Sequence, residues 1–103
     1  MERSLFKINS VIFDHDGRDN YIKEVKSIRI NLNKIVTIEP INFKFNLLMS
    51  KNAIAENSSV INEATKYFQI AVADRDYSST YIFITEKDYD RILEVVGYTE
   101  EGE

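Results

Sequence analysis

Apolar residues recur at every second position in several short stretches of this chain, and that period confines it to a sheet-based fold. In Ser4–Phe13 (SLFKINSVIF), Phe6, Ile8 and Ile12 fall on one face, opposite Lys7 and Asn9. Tyr21–Leu32 repeats the pattern, with Ile28, Ile30 and Leu32 opposite Arg29 and Asn31. Asn42–Met49 is the cleanest case, with Phe43, Phe45, Leu47 and Met49 opposite Asn42, Lys44 and Asn46. Ile35–Glu39 is a shorter strand, while Tyr67–Ala73 and Thr80–Thr85 read as a hairpin around DRDYSS. Between the first two stretches, Asp14–Asn20 (DHDGRDN) is turn chemistry, because Gly17 admits positive φ and Asp/Asn side chains bond nearby backbone. Asn33-Lys34 reads as a tight connection. Pro40 lacks an amide donor and belongs at a strand end, a bulge or a sheet edge.

A helical period is clear once, in Glu86–Val96, where Tyr89, Ile92, Leu93 and Val96 occupy i, i+3, i+4 and i+7. Thr85 is the expected N-cap, Asp88 stands in a capping-box-like position, and Gly97 suits the residue after the helix. Glu86 and Asp88 in the first turn complement the helix dipole. Lys51–Lys66 breaks the strand period and reads as a loop leading into a short helix, with Ile61, Ala64, Thr65 and Phe68 at helical spacing. Loops of that length often make contacts. The expectation is therefore α+β: five or six mostly antiparallel strands in a curved sheet or half-barrel, with one C-terminal helix packed on it. Residues 1–97 form a single domain and 98–103 an acidic tail. A chain of 103 residues has room for one modest core, and six Tyr with six Phe help to fill it.

Charge divides along the chain. Residues 1–73 hold ten Lys/Arg against eight Asp/Glu, and residues 74–103 hold three against nine. On the C-terminal helix, Glu86, Asp90 and Glu94 lie at i, i+4 and i+8, separated by about 6 Å of axial rise per step. That is close to the spacing of successive phosphates along a nucleic-acid strand. Like charges so placed cost the helix roughly 0.2–0.5 kcal/mol per pair. Asp74, Asp76, Tyr77 and Tyr81 in and beside the preceding hairpin join this candidate partner-binding surface. Nucleic-acid binding needs a concentrated basic patch, and here Lys23 and Arg29 beside Tyr21 supply only a weak one. Zero cysteines exclude disulfides, thiolate catalysis and cysteine-ligated zinc, and fit a reducing cytoplasm. No run of about 18 apolar residues is present for a transmembrane helix. The opening MERSLFKINS alternates polar and apolar residues instead of forming the apolar block of a signal peptide.

Catalytic chemistry has little to stand on. VIFDHDG (Val11–Gly17) resembles the first motif of haloacid-dehalogenase-type phosphatases, an apolar strand followed by Asp-x-Asp-Gly. The resemblance implies Asp14 as nucleophile, Asp16 as general acid, a magnesium ion and a parallel α/β core. It covers seven residues, Arg18 replaces the usual Thr or Val, and no acidic pair downstream completes a metal site. As a calcium loop the segment fails, since Val25 falls where the twelfth-position Glu is required. A polar β-turn is the expected role. His15 is the only histidine and cannot build a histidine-based zinc site. No serine sits in a Gly-x-Ser-x-Gly context, and three glycines make no phosphate-cradling loop.

The expected function is a non-enzymatic protein-binding domain without cofactor or metal. Short, acidic, single-domain chains of this kind resemble, in type, small inhibitors encoded by phages or other mobile elements, anti-CRISPR proteins among them. The expected mechanism is occlusion of a basic nucleic-acid channel on a host enzyme, with charge speeding association and aromatics anchoring. A cytoplasmic accessory module that self-associates through a strand edge is the alternative. A small magnesium-dependent phosphatase using Asp14 and Asp16 is a third reading.

Overall fold

A computed structural model describes residues 5–42, 44–73 and 79–96. Five strands and two α-helices alternate along it: β1 (Leu5–His15), β2 (Asn20–Asn31), β3 (Ile35–Pro40), α1 (Lys51–Glu56), β4 (Tyr67–Ala73), β5 (Ser79–Thr85) and α2 (Glu86–Val96). The fold class is α+β, with every strand pairing antiparallel. The strands form two sheets instead of the single curved sheet that the pattern predicts: β1-β2 alone, and β3-β4-β5. A 3-10 turn at Leu32–Lys34 joins them, opened by the Asn31 side chain accepting from Asn33 N–H.

The long hairpin β1-β2 serves two cores by presenting different faces at its two ends. Phe6 and Ile8, with Ile28 and Ile30 opposite, pack against Ile70, Ile84 and Ile92. Further along, Val11 and Phe13, with Val25 and Ile22 opposite, pack against Ala53, Ile61 and Tyr67. Residues 8 and 11 differ by an odd number, so an unbulged β1 turns them to opposite faces. The partner strand follows by a bulge: Ile12 pairs Glu24 and Phe13 pairs Ile22, leaving Lys23 as the extra residue. Val11 therefore takes the fully buried role that the alternation assigns to Ile12, which is only half-buried.

Asn42–Met49, expected to be the best strand, is irregular backbone and turn (Phe43 lies outside the described residues). Asn46 causes this. Its side chain accepts from Met49 N–H at 2.9 Å, and its carbonyl accepts from Ser50 N–H at 3.1 Å and from Ser50 Oγ at 2.7 Å. Such local bonds outcompete a sheet ladder and start a helical turn. The chain runs straight into α1, so the helix of the 51–66 region stands at its beginning and not its end. Ile61 is buried in the second core, Asn62–Thr65 makes a turn, and Phe68 belongs to β4.

Ser50 is the hinge pin of this region. It is fully buried, and its hydroxyl accepts from Ile22 N–H at 2.9 Å while donating to Asn46. Together with Asn46 N–H donating to Asn20 C=O at 2.7 Å, it closes the outer edge of β2. Ser50→Ala leaves Ile22 N–H buried without an acceptor and is expected to cost about 1–3 kcal/mol in urea denaturation.

Tyr67 sits at the centre of the second core, 6% exposed, edge-on to Phe13 and Phe45 at ring separations of 5.5 and 5.9 Å. Its hydroxyl has no hydrogen-bond partner. Burial pushes this phenol up to about 12. A phenol raised in the folded state keeps its full stability below its ordinary value and loses it as pH climbs from there toward 12. That loss is at most about 1.4 kcal/mol per pH unit. Tyr67→Phe removes an orphaned polar atom and is expected to be neutral or stabilising by up to about 1 kcal/mol at pH 7. The variant should also flatten the alkaline loss above pH 10, read as the melting temperature across a pH series.

Candidate interaction surface

Helix α2 begins where β5 ends. Thr85 is 3% exposed and accepts the N–H of Asp88 through its hydroxyl at 3.3 Å, so it caps the helix as its position implies. Asp88 does not complete a capping box. Its carboxylate turns to the neighbouring hairpin, where Oδ2 accepts from Asn9 N–H at 2.8 Å and Oδ1 from Arg91 at 2.8 Å. Arg91 in turn donates to Lys7 C=O at 3.1 Å and lays its guanidinium over the Phe6 ring, 4.6 Å from the centroid. Residues 7 and 9 share one edge of β1, the edge away from β2. One i,i+3 pair on a helix thus supplies an acceptor and a donor where a neighbouring strand would. β1 lies against β5 here, yet no ladder joins them among the described residues. This is why the sheet is broken in two.

The apolar stripe fixes the adjoining side of α2. Ile92 is buried in the first core and Tyr89 stacks on Phe68 at 3.9 Å with the rings 5° from parallel. Leu93 and Val96, expected to pack on the sheet, instead line an open groove beside β3. The solvent side carries the acidic row, Glu86, Asp90 and Glu94, all exposed at the spacing read from the sequence, with exposed Lys87, Arg91 and Val95 beside it. Asp88, which sequence reasoning placed with the dipole-complementing acids, is 3% exposed and structural.

The other candidate contacts are distributed differently. Asp74, Asp76 and Tyr77 lie outside the described residues. Tyr81 is exposed, but on the wrong side to join α2. Ile82 and Ile84 of β5 face the first core and α2, whereas Phe83 faces the second core, so Tyr81 shares the face of Phe83. Among the described residues the acidic surface is therefore that of α2, and Tyr81 belongs to the opposite face of the three-stranded sheet. In the 51–59 segment, Lys51, Asn52, Ala55, Glu56, Ser58 and Ser59 are exposed, while Ala53 anchors it in the second core.

Asp14 and Asp16 sit at the tip of an antiparallel hairpin, where the phosphatase resemblance implies a parallel α/β core. Their carboxylates hold the turn. Asp14 accepts from His15 N–H at 2.8 Å, and Asp16 Oδ1 accepts from Asp19 and Arg18 N–H at 2.8 and 2.9 Å. Those backbone bonds hold the Asp16 carboxyl below the usual carboxylate range. His15 Nδ1 accepts from Gly17 N–H at 3.0 Å, and Gly17 takes φ +96°, as turn chemistry requires. Among the described residues no three His, Asp or Glu side chains gather to hold a metal ion. No helix among them is long and apolar enough to cross a membrane. No protein-family model, curated protein or solved structure matches the chain.

Removing either member of the Asp88–Arg91 pair leaves a part-buried backbone N–H or a buried carboxylate short of a partner. Asp88→Ala orphans Asn9 N–H, and Arg91→Ala leaves a carboxylate buried with a single backbone donor. Each is expected to cost about 1–2 kcal/mol, because Arg91 is exposed and water reaches the vacated place. The double variant should cost at least about 1 kcal/mol less than the two added together, which a double-mutant cycle in urea measures directly.

Proposed function

We propose that this chain is a non-enzymatic protein-binding domain, acting as a small inhibitor of the phage or mobile-element type represented by anti-CRISPR proteins. Its acidic helix face engages the basic nucleic-acid channel of a host enzyme and occludes it. A cytoplasmic setting, where such an enzyme works, is part of the proposal. One observation carries it: Glu86, Asp90 and Glu94 stand exposed on a helix whose position is locked by the bonds of buried Asp88 to Asn9 and Arg91 and by the Ile92 contact. Carboxylates on a backbone already ordered meet a cationic channel at the cost of their side-chain rotamers alone, and their summed field speeds encounter. The edge position of β3, with Val36 60% exposed, favours a second reading, an accessory module that assembles with itself.

Affinity capture from a host lysate separates the two. The native chain is expected to retain one basic nucleic-acid enzyme, and Glu86→Lys/Asp90→Lys/Glu94→Lys is expected to lose it while keeping the helical circular-dichroism signal. All three positions are exposed, so the triple variant should cost no more than about 1.5 kcal/mol of stability. Undiminished capture by that variant removes the acidic face from the contact. Recovery of the chain alone favours self-assembly.

A further inference from the structure

The apolar stripe of α2 outruns the core beneath it. Leu93 and Val96 line a groove of about 480 Å³ with Leu32 and residues 35–38 of β3. Val96 is 51% exposed on one wall and Val36 60% exposed on the other. The β3 wall also offers backbone, because β3 is the edge of its sheet. Ile41 N–H donates to Tyr67 C=O, and Glu39 pairs Gln69, so residues 37, 39 and 41 direct their backbone groups toward β4. The alternate residues turn theirs outward, giving an N–H and a C=O from Ile38 and a C=O from Pro40. Proline has no donor to lose at such an edge.

The opposite rim is charged. At about 100° per residue, Glu86 and Asp90 stand on the flank of α2 beside Leu93, with Glu94 one step further toward solvent. Among the described residues, a strand edge with no neighbour, an apolar floor and a row of carboxylates then lie side by side on one face of the molecule.

We propose that the groove between β3 and α2 binds an extended segment of the partner protein that carries apolar and Lys or Arg side chains on the same face. This rests on the reading of α2 as the contact face and adds the chemistry of what it meets. The segment joins β3 as a fourth strand through the outward groups of Ile38 and Pro40. Its α2-facing residues, every second one, rest on Leu93 and Val96. Where such a residue is Lys or Arg, the aliphatic stem covers the groove and the cation reaches Asp90 or Glu94. A second copy of this chain fits less well. It satisfies the β3 edge, but it brings another acidic flank and leaves the carboxylates without a cation.

Selection of a random dodecapeptide library on the full chain tests this. The library is also screened against Val36→Lys/Val96→Lys, at two exposed positions, and against the triple charge-reversed variant, each checked for folding by circular dichroism. Enriched peptides are expected to carry apolar and basic residues in one period-two phase, with the intervening positions unrestricted. Methylating the peptide amides that face β3 should weaken binding about tenfold or more, and both variants should lose it. Basic peptides without that phase, held equally by Val36→Lys/Val96→Lys, overturn the groove and leave the acidic-face reading standing. Failure to enrich any peptide overturns the groove as well. A dimer in sedimentation equilibrium that Val36→Lys dissolves would assign the edge to a second copy and overturn the proposal. Undiminished partner capture by the triple variant, by contrast, is the failure of the acidic-face reading itself.

Discussion

Two strands make poor sheets because each has an outer edge of peptide groups with no strand beside it. In the β1-β2 hairpin both edges are closed by side chains or by a crossing loop, the β2 edge in the interior and the β1 edge at its border. Asp88 and Arg91 take Asn9 N–H and Lys7 C=O on one side. Ser50 and Asn46 take Ile22 N–H and Asn20 C=O on the other. A buried peptide group left unpaired costs roughly 1–3 kcal/mol, a large share of the stability of a small domain. The edges of one hairpin therefore dictate where α2 starts, where α1 starts and why the strands do not fuse into one sheet.

That arrangement also sorts the acidic residues. An α-helix presents its i and i+3 positions together, so Asp88 and Arg91 fall on one flank and reach β1. Glu86 and Asp90 fall on the other, beside Leu93. Spending one carboxylate on the hairpin edge fixes the backbone that bears the remaining ones. A flexible acidic tail would have the same charge and would have to be ordered on binding. Rigidity here comes from a polar contact that also carries a cation–π contact to Phe6, so charge, stem and ring each contribute to holding one helix.

Much of this was legible in the sequence and some was not, for physical reasons. The bounds of α2 follow from Thr85 and the Tyr89/Ile92 stripe, and the hairpin turn follows from Gly17 and its aspartates. β4 and β5 were clear because Tyr67–Ala73 and Thr80–Thr85 are rich in β-branched and aromatic residues. Asn42–Met49 misled because alternation registers side chains only, whereas Asn46 acts through its own amide and carbonyl. The split into two sheets was illegible for a related reason. Asp88 at the third position of a helix is an ordinary dipole-complementing residue by sequence, and only the approach of β1, seventy-nine positions away, makes it a strand substitute. Tyr81 could not be assigned to a face relative to α2 until the parity of Ile82, Phe83 and Ile84 was tied to two distinct cores.

Both bulges in the fold do the same work, and the second one makes the groove. Lys23 is the extra residue that lets Ile22 and Val25, three apart, enter the same core. At β3 the register shifts between Ile35 and Thr37, and the extra residue is Val36. Ile35 and Ile38 can then both face inward against the first core, again three apart, while Val36 is turned out at 60% exposure. An unbulged strand would have put one of those isoleucines on the solvent face and sealed less of the core. The price is a valine at the lip of an edge strand, opposite a helix whose Leu93 and Val96 line the open groove. Edge strands exposed in this way invite another chain. The usual protections, inward charges or a covering loop, are absent from β3 among the described residues except for Pro40 at its end. Proline limits where an incoming strand can bond without preventing it from doing so, which is the behaviour of a docking edge with a defined register.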